Sequence, residues 1–223
     1  MDCLRLARGM TKKAACAGLN LGGGKAVLIG NSKNLRKDTV KREAFWRAYG
    51  RYVQTLGGRY ITAEDVGTSP FDMTLVRQET NFVMGLPETS GDPSPFTAHG
   101  VVKGIKACVK EELGSSKLEG VKVAISGVGH VGAALAEMLA AEGAKLWICD
   151  IDQEALAEVS AKTGATIVKP DEIYDLDVDV FAPCALGAIL NDNTIPRLKA
   201  KIIAGSANNQ LEDSQKHGCM VHE

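Results

Sequence analysis

The apolar residues of this chain follow two different patterns, one in each part of the sequence. Up to residue 113 most of them recur three and four positions apart, which is typical of amphipathic helices. This spacing predicts helices over residues 1–12, 41–56, 69–80 and 96–113. Two short runs, residues 26–29 and 59–63, predict strands, and the polar, basic residues 32–41 predict an exposed loop.

Beyond residue 120 the pattern becomes an alternation of short apolar runs and helical segments. The runs predict strands at residues 121–125, 145–149, 165–168, 179–182 and 201–204. Helices are predicted at residues 131–142 and 153–162, with further helical stretches between the later strands. This alternation indicates a parallel sheet with covering helices, as in a doubly wound α/β fold.

The segment SGDPSP, residues 90–95, is the clearest break between the two patterns. Its two prolines, one glycine and two serines are typical of a linker between domains. We therefore predict an α/β protein of two domains, residues 1–93 and residues 94–223.

A glycine-rich segment of the first domain leads into a lysine. Gly22, Gly23 and Gly24 directly precede Lys25, and successive glycines allow positive φ angles and a close approach of the backbone to a ligand. A lysine in this setting would be partly desolvated, which favours the neutral amine that acts as a base. The alternative is an ordinary turn with a solvated charge. A phosphate-binding loop is disfavoured because Ala26 stands where the magnesium-binding Ser or Thr would be.

Two carboxylates follow the predicted strand at residues 59–63. Glu64 and Asp65 lie beside Gly67 at the end of that strand, where α/β proteins often place catalytic groups. Either carboxylate could instead cap the helix predicted at residues 69–80, which is the commoner use of an acidic residue at this position.

The sequence GVGHVG matches the glycine pattern of dinucleotide-binding loops. It follows a predicted strand and opens a predicted helix, and Asp150 lies at the end of the next strand. Gly127 would permit the tight turn, Gly129 would let a pyrophosphate approach, and Gly132 would let the helix pack closely. Asp150 would accept from both ribose hydroxyls and repel a 2′-phosphate, which predicts NAD rather than NADP. The alternative is a glycine turn with a helix-capping Asp150, and His130 is expected to be an exposed loop residue.

Two further loops follow strands of the second domain. Cys184 and Ala185 come after the fourth predicted strand, and Asn208 and Asn209 come after the fifth. Loops at the carboxyl ends of parallel strands border the ligand crevice of a doubly wound sheet. The asparagine amides could therefore bind a nicotinamide amide or polar groups of a substrate, and they could equally close turns.

Composition narrows the classes of function. The 223 residues carry a net charge of −1, which gives no electrostatic case for binding nucleic acid or an anionic membrane. The six cysteines are scattered without a CxxC pair, as expected of reduced thiols in the cytoplasm. No signal peptide or apolar run of transmembrane length is visible. His217, Cys219 and His222 lie close together without a partner cluster elsewhere, so no metal site is predicted.

Several longer motifs extend over nearly the whole chain. They are MTKKAACAGLNLGGGKA, TAEDVGT, GDPSPFTAHG, GVGHVG, APCALGAIL and AGSANNQL. In this order they resemble the glutamate/leucine/phenylalanine/valine dehydrogenase family, and TAEDVGT and PCALGA are most similar to its leucine and branched-chain members. The resemblance implies NAD-dependent oxidative deamination of a branched-chain L-amino acid to its 2-oxo acid and ammonia.

The resemblance also implies which residues of the first domain hold the substrate. Lys13 would bind the α-carboxylate of the amino acid, aided by Gly22 and Gly23. Ala63 would line the pocket for the substrate side chain. An amino acid substrate needs such a cation for its carboxylate, together with a base for its amine and a hydride acceptor.

The remaining implied roles concern catalysis and the cofactor. Lys25 would be the general base that activates the water attacking the imino acid, and Asp65 would shuttle protons to and from the amino group. The implied cofactor contacts are Thr97, Gly127, Gly129, His130, Val131, Gly132, Asp150, Cys184, Ala185 and Asn208.

Family members carry more chain before and after the positions matched by this sequence. The resemblance therefore implies an internal fragment of a protein that is a homo-oligomer in its full-length form. Part of the side-chain pocket would lie outside the fragment, which leaves phenylalanine or glutamate dehydrogenase activity as an alternative. The rival from a different class is a catalytically inactive fragment that binds NAD.

Overall fold

The computed structural model describes residues 2–89 and 92–222. The chain divides into two compact units, residues 1–93 and residues 94–223, called unit 1 and unit 2 below. Two residues of the predicted linker, Ser90 and Gly91, lie outside the described residues. Within the described part of the chain, no helix is both long enough and apolar enough to cross a membrane.

Unit 1 is built mainly from helices. They are α1 (Asp2–Cys16), α2 (Ser32–Arg36), α3 (Thr39–Thr55) and α4 (Pro70–Arg77). Helices α3 and α4 pack against each other, since their apolar faces meet in one buried cluster. That cluster consists of Trp46, Met73, Leu75, Val76, Val83 and Leu86. The helices predicted at residues 1–12, 41–56 and 69–80 are therefore present, with ends shifted by a few residues.

Both strand predictions in unit 1 are wrong or overextended. Residues 26–29 form no strand, because no strand pairs with them among the described residues, and Ile29 is fully exposed. Residues 59–63 contribute a single parallel bridge, between Thr62 and Val83. The bridge is held by the Thr62 N–H, which donates to the Phe82 carbonyl at 3.0 Å. An apolar run without a paired neighbour does not become a strand.

The loop predicted at residues 32–41 also contains more structure than expected. It includes the one-and-a-half-turn helix α2, Ser32–Arg36. Asn31 caps this helix, since its side chain accepts a hydrogen bond from the Asn34 N–H at 3.2 Å. Asp38 caps α3 in the same way, through the Lys41 N–H at 3.0 Å. Two caps within eight residues explain how a polar segment forms helical structure without apolar periodicity.

Unit 2 contains a parallel sheet of five strands. The strands are β1 (Lys122–Ser126), β2 (Lys145–Cys149), β3 (Thr166–Ile167), β4 (Val180–Pro183) and β5 (Ile202–Ile203), and the helices are α5 (Ser94–Leu113), α6 (His130–Ala141), α7 (Gln153–Thr163) and α8 (Lys216–His222). The spatial order is β3-β2-β1-β4-β5, and every pair is parallel. This order reverses between β1 and β4, as in a Rossmann-type fold. The predicted α/β fold class is confirmed.

The two faces of this sheet are covered differently. Val123 and Ile125 of β1 point into a cluster that includes residues of α5, α6 and α7. Ala124 points to the opposite face, into a cluster with Phe181. The helical stretches predicted between β3, β4 and β5 are short 3₁₀ turns, Glu172–Asp175 and Ile195–Arg197. Prolines and asparagines in these connections favour turns over longer helices.

Candidate active site

Lys25 and Asp65 form an ion pair in unit 1, although 40 positions separate them in the sequence. The Lys25 Nζ donates a hydrogen bond to the Asp65 Oδ2. The lysine side chain is 18% exposed and the aspartate side chain 41% exposed, so the pair is reachable from solvent and partly shielded from it. A proton could pass between the two side chains without a third group.

The glycine-rich segment lies flat on α1 and on an aromatic ring. A Cβ at Gly23 would overlap the Ala7 carbonyl and Thr11, and a Cβ at Gly24 would lie 2.6 Å from the Tyr60 ring. Neither glycine has a positive φ, so the expected left-handed turn is absent from these described residues. The absence of side chains at these glycines lets the backbone approach α1 and Tyr60 closely.

The backbone of Lys25 is also tied to α1. The Cys3 thiol donates to the Lys25 carbonyl at 3.1 Å. Gly22, in contrast, is exposed, and no described atom lies within 4 Å of the position its Cβ would take. The segment is therefore anchored at Gly23, Gly24 and Lys25 rather than by the strand predicted after them.

A tight turn presents the Asp65 carboxylate. The Thr68 N–H donates to the Asp65 carbonyl at 3.0 Å, and Gly67 has a φ of 80°, as a type II turn requires. The Val66 N–H donates to the Asp65 Oδ1 at 2.8 Å. The two carboxylate oxygens therefore have separate partners, a backbone N–H for one and Lys25 for the other.

The helix after this turn is capped by a different residue from those predicted. Ser69 is the N-cap of α4, since its side chain accepts from the Asp72 N–H at 3.3 Å. The prediction that Glu64 or Asp65 caps this helix is wrong. The serine is close enough to the helix to accept from its third residue, which leaves Asp65 available to pair with Lys25.

Among the described residues, none of the other substrate residues implied for unit 1 is hydrogen-bonded to this pair. Lys13 lies in the last turn of α1 and is exposed, and among the described residues it makes no hydrogen bond or ion pair with Lys25 or Asp65. Ala63 is exposed, next to the buried Thr62. The substrate-binding roles implied for Lys13, Gly22, Gly23 and Ala63 stay predictions.

The Thr62 side chain of this bridge contacts a partly buried tyrosine, Tyr49. The Tyr49 hydroxyl is 3.0 Å from the Thr62 hydroxyl. Burial raises the pKa of Tyr49 well above its ordinary value, and the hydrogen bond with Thr62 opposes this only in part. Burial therefore favours the neutral form of the hydroxyl that contacts Thr62.

In unit 2, four of the predicted cofactor residues meet at the carboxyl end of β1. Gly127 has a φ of 102°, and a Cβ there would lie 2.7 Å from the Ala185 nitrogen. A Cβ at Gly132 would overlap the Gly127 carbonyl and lie 3.4 Å from the Cys184 Cβ. We call these four residues the glycine cradle. A side chain at either glycine would fill it, so the tight turn and the close helix packing predicted from the sequence are present.

Helix α6 begins directly after this turn. Gly129 is its N-cap, and it offers no side chain to satisfy the N–H groups of the first turn. His130 is the first helical residue and is exposed, so the expectation that it belongs to the loop is wrong by one position. The arrangement suits a pyrophosphate, because those N–H groups and the helix dipole both favour an anion.

Asp150 connects the end of β2 to the glycine turn. Its Oδ2 accepts from the Val128 N–H at 2.7 Å, and its Oδ1 accepts from the Asp152 N–H at 2.9 Å. Asp152, rather than Asp150, caps α7, so the capping alternative for Asp150 is wrong. Each carboxylate oxygen can accept a second hydrogen bond, which leaves capacity for ribose hydroxyls.

The loops after β4 and β5 meet each other. The Cys184 N–H donates to the Ser126 carbonyl at 2.8 Å, and burial raises the pKa of the Cys184 thiol. Asn209 has a φ of 49°, and its carbonyl accepts from the Ala188 N–H at 2.8 Å, so this asparagine does close a turn. Asn208 is exposed. Its cofactor role, and that of Thr97 in the first turn of α5, stay predictions.

Sequence reasoning missed the residues that hold the lysine and the aspartate in place. These are Cys3, Arg36, Tyr60 and Thr68. One signal was available, because Asp-Val-Gly-Thr has the composition of a type II turn with glycine at its third position. The contacts of Cys3 and Tyr60 join distant segments, and no local pattern indicates them.

The chain is similar to known dehydrogenases along its whole length. Residues 1–82 match the family model described as Glu/Leu/Phe/Val dehydrogenase, dimerisation domain. The whole chain is 56% identical over 225 residues to a leucine dehydrogenase of Geobacillus stearothermophilus, of which it covers 60%. Over its whole length this chain resembles the Glu/Leu/Phe/Val dehydrogenase family. It is also 51% identical over 220 residues to an L-tryptophan dehydrogenase of Nostoc punctiforme, covering 99% of this chain and 61% of that protein.

Solved structures of the family share the fold. The crystal structure of L-tryptophan dehydrogenase from Nostoc punctiforme matches with a TM-score of 0.72 and 49% identity, over 99% of this chain and 61% of that one. A hetero-hexameric glutamate dehydrogenase from Thermus thermophilus matches with a TM-score of 0.73 at 20% identity, over 97% and 57% of the two chains. The chain thus spans about 60% of the length of the curated dehydrogenases it matches.

Proposed function

We propose that this chain carries the catalytic pair and the cofactor cradle of an NAD-dependent dehydrogenase. The reaction would be oxidative deamination of a branched-chain L-amino acid, such as leucine, valine or isoleucine, to its 2-oxo acid and ammonia. The observation that carries the proposal is the Lys25–Asp65 ion pair, which joins a base and a proton carrier in a chain 56% identical to a leucine dehydrogenase.

Unit 1 supplies the groups that such a substrate needs. Lys25 acts as the general base for the water that attacks the imino acid, and Asp65 exchanges protons with the amino group. Lys13 binds the α-carboxylate with the help of Gly22 and Gly23, and Ala63 lines the side-chain pocket. The partial exposure of Lys25 and Asp65 supports these roles, because a small amino acid can reach them.

Unit 2 supplies a site whose residues fit NAD. The glycine cradle and the first turn of α6 suit the pyrophosphate, and Asp150 suits the ribose hydroxyls. When bound, NAD supplies the hydride acceptor for the reaction. Asp150 also supports a preference for NAD over NADP, because its carboxylate would repel a 2′-phosphate.

We also propose a homo-oligomer located in the cytoplasm. Three side chains of unit 1 support the oligomer, since Leu4, Ile29 and Val66 are 70%, 102% and 81% exposed and lie in a segment matched by a dimerisation-domain model. The six unpaired cysteines fit a reducing compartment. The substrate would be a small amino acid, with no nucleic acid or membrane as a partner.

Two alternatives follow from specific observations. The related L-tryptophan dehydrogenase of Nostoc punctiforme and a phenylalanine dehydrogenase of Lysinibacillus sphaericus, 45% identical over 230 residues, favour an aromatic substrate. The glycine cradle of unit 2 would also suit a chain that binds NAD without catalysis.

One assay separates these proposals. NADH formation is followed at 340 nm with NAD and, in turn, leucine, valine, phenylalanine, tryptophan or glutamate, and NADH binding is measured separately by fluorescence. Leucine should give the highest kcat/KM, and Lys25→Ala should lower kcat by about 10²- to 10⁴-fold, the usual contribution of a positioned acid or base. A higher kcat/KM with an aromatic amino acid would refute the branched-chain assignment. NADH binding without amino acid-dependent NADH formation would support the inactive fragment.

A further inference from the structure

The orientation of the Asp65 carboxylate depends on the turn that contains Asp65. Its Oδ2 pairs with Lys25, and its Oδ1 accepts from the Val66 N–H at 2.8 Å. Both carboxylate oxygens are thus held only while the backbone at Asp65 keeps its direction. Asp65 is 41% exposed, so packing around the side chain contributes little to fixing it.

The Thr68 hydroxyl fixes that backbone in both directions. Its oxygen accepts from the Asp65 N–H at 2.8 Å and its proton goes to the Asp65 carbonyl at 2.7 Å. One side chain therefore satisfies the donor and an acceptor of the residue that bears the carboxylate. The hydrogen bond from the Thr68 N–H to the same carbonyl would survive loss of the hydroxyl, but the Asp65 N–H would lose its acceptor.

Thr68 is itself held from the other side by α2. The Arg36 Nη2 donates to the Thr68 carbonyl at 3.2 Å. Gly67 approaches the same helix, because a Cβ there would lie 3.3 Å from the Ser32 Oγ. The next residue, Ser69, caps α4. The turn is therefore fixed between α2 and α4. The hydrogen bonds of the Thr68 hydroxyl connect this fixed turn to the backbone of Asp65.

We propose that Thr68 is a positioning residue for the dehydrogenase reaction, which directs the Asp65 carboxylate toward Lys25 and acts only through Asp65. Arg36 assists by holding the Thr68 carbonyl. The inference rests on the proposed function, in which Asp65 exchanges protons with the substrate amino group. Thr68 needs no contact with the substrate in this role.

The first test separates the hydroxyl from the shape of the side chain. Thr68→Val keeps the shape and removes the hydroxyl, and it should lower kcat by about 10- to 100-fold, since misplacement near 1 Å can cost about 10² in rate. KM for leucine should change less than about threefold, because the residue does not bind substrate. Thr68→Ser keeps the hydroxyl and should restore kcat to within about threefold of the parent. Arg36→Met, which leaves the turn sequence intact, should cause a smaller loss of kcat.

The second test asks whether Thr68 acts through Asp65. In an Asp65→Ala background, Thr68→Val should lower kcat by less than about twofold, because two residues that act as one unit are not additive. An equal loss in both backgrounds would overturn the inference, since a general structural role would persist without Asp65.

A third measurement does not depend on turnover. Acetic anhydride at low dose acetylates the lysine amines that are accessible and unpaired. Peptide mass spectrometry then compares the acetylated fraction of Lys25 with that of Lys145 in unit 2. Asp65→Ala and Thr68→Val should both raise the Lys25 to Lys145 ratio severalfold, and Thr68→Ser should not. Unchanged Lys25 labelling in folded Thr68→Val, or in Arg36→Met if the valine variant does not fold, would overturn the inference. If the Lys25 labelling changes as expected in these variants but the parent chain forms no NADH, the proposed function is refuted and the positioning role of Thr68 is not.

Discussion

Replacing Arg42 with methionine should destabilise unit 1 by about 3–5 kcal/mol, the usual cost of leaving one partner of a buried ion pair uncompensated. The Arg42 Nε donates to the Asp72 Oδ1 at 2.7 Å, and the two side chains are 16% and 1% exposed. The Asp72 Oδ2 has another partner, the Ser69 hydroxyl at 2.8 Å, which Arg42 also contacts through Nη2 at 3.1 Å. Loss of the arginine therefore removes the charge that compensates a buried carboxylate joining α3 to α4.

Urea unfolding measures this loss in unit 1 alone. Trp46 lies in the unit 1 core and is 4% exposed, so in a Trp147→Phe background its fluorescence follows that unit. The matched control is Arg51→Met on the same helix, because the Arg51 side chain is 60% exposed in its 3.3 Å contact with Glu79 and should contribute less than about 1 kcal/mol. Equal shifts of the unfolding midpoint for the two variants would refute the reasoning.

Three further predictions concern the cofactor cradle and the buried phenol. Gly132→Ala should weaken NADH binding at least about tenfold by fluorescence titration, because its Cβ would overlap the Gly127 carbonyl, whereas Gly100→Ala, with no described atom within 4 Å, should not. Asp150→Ser should narrow the preference for NAD over NADP in kcat/KM. Burial raises the pKa of Tyr49 in the folded protein. The stabilising contribution of the Tyr49 side chain is therefore complete below the ordinary tyrosine pKa of about 10. It is lost as the pH rises through the raised pKa of the folded state. In Tyr49→Phe, the urea midpoint should therefore fall less steeply between about pH 10 and 12.

Local patterns predicted unit 2 better than unit 1. The run at residues 145–149 became β2 with the same bounds, and the helix predicted at residues 153–162 became α7, extended by one residue. Strands of a parallel sheet are buried on both faces, so their sequences are continuous apolar runs that stand out from their surroundings. In unit 1 the runs at residues 26–29 and 59–63 also contain residues that favour strands, but strand formation needs a paired neighbour as well. The sequence pattern contains no information on that neighbour.

The candidate site was predictable where one residue type can satisfy a local requirement. Gly127 is such a case, because the turn after β1 requires a φ of 102°, which an L side chain rarely adopts. The pairing of Lys25 with Asp65 is different, since it joins segments 40 positions apart. The resemblance implied a role for each residue, but neither it nor the spacing predicted that the two side chains pair. The hydrogen bond of Cys3 to the Lys25 carbonyl could not be predicted at all, because it depends on how α1 packs.

The glycines of the two units serve different physical purposes, although they look alike in the sequence. At Gly127 the backbone conformation itself demands glycine, and the resulting turn leaves the N–H groups of α6 open to an anion. At Gly23 the φ angle is unremarkable, and the demand comes from the Ala7 carbonyl and Thr11 on α1, where a side chain would stand. The first glycine is required by its own φ angle, and the second is required because the loop packs directly against α1. A glycine run before a lysine can therefore have two causes. It can let the loop pack against the protein itself and so position the lysine, or it can let the loop bind a ligand.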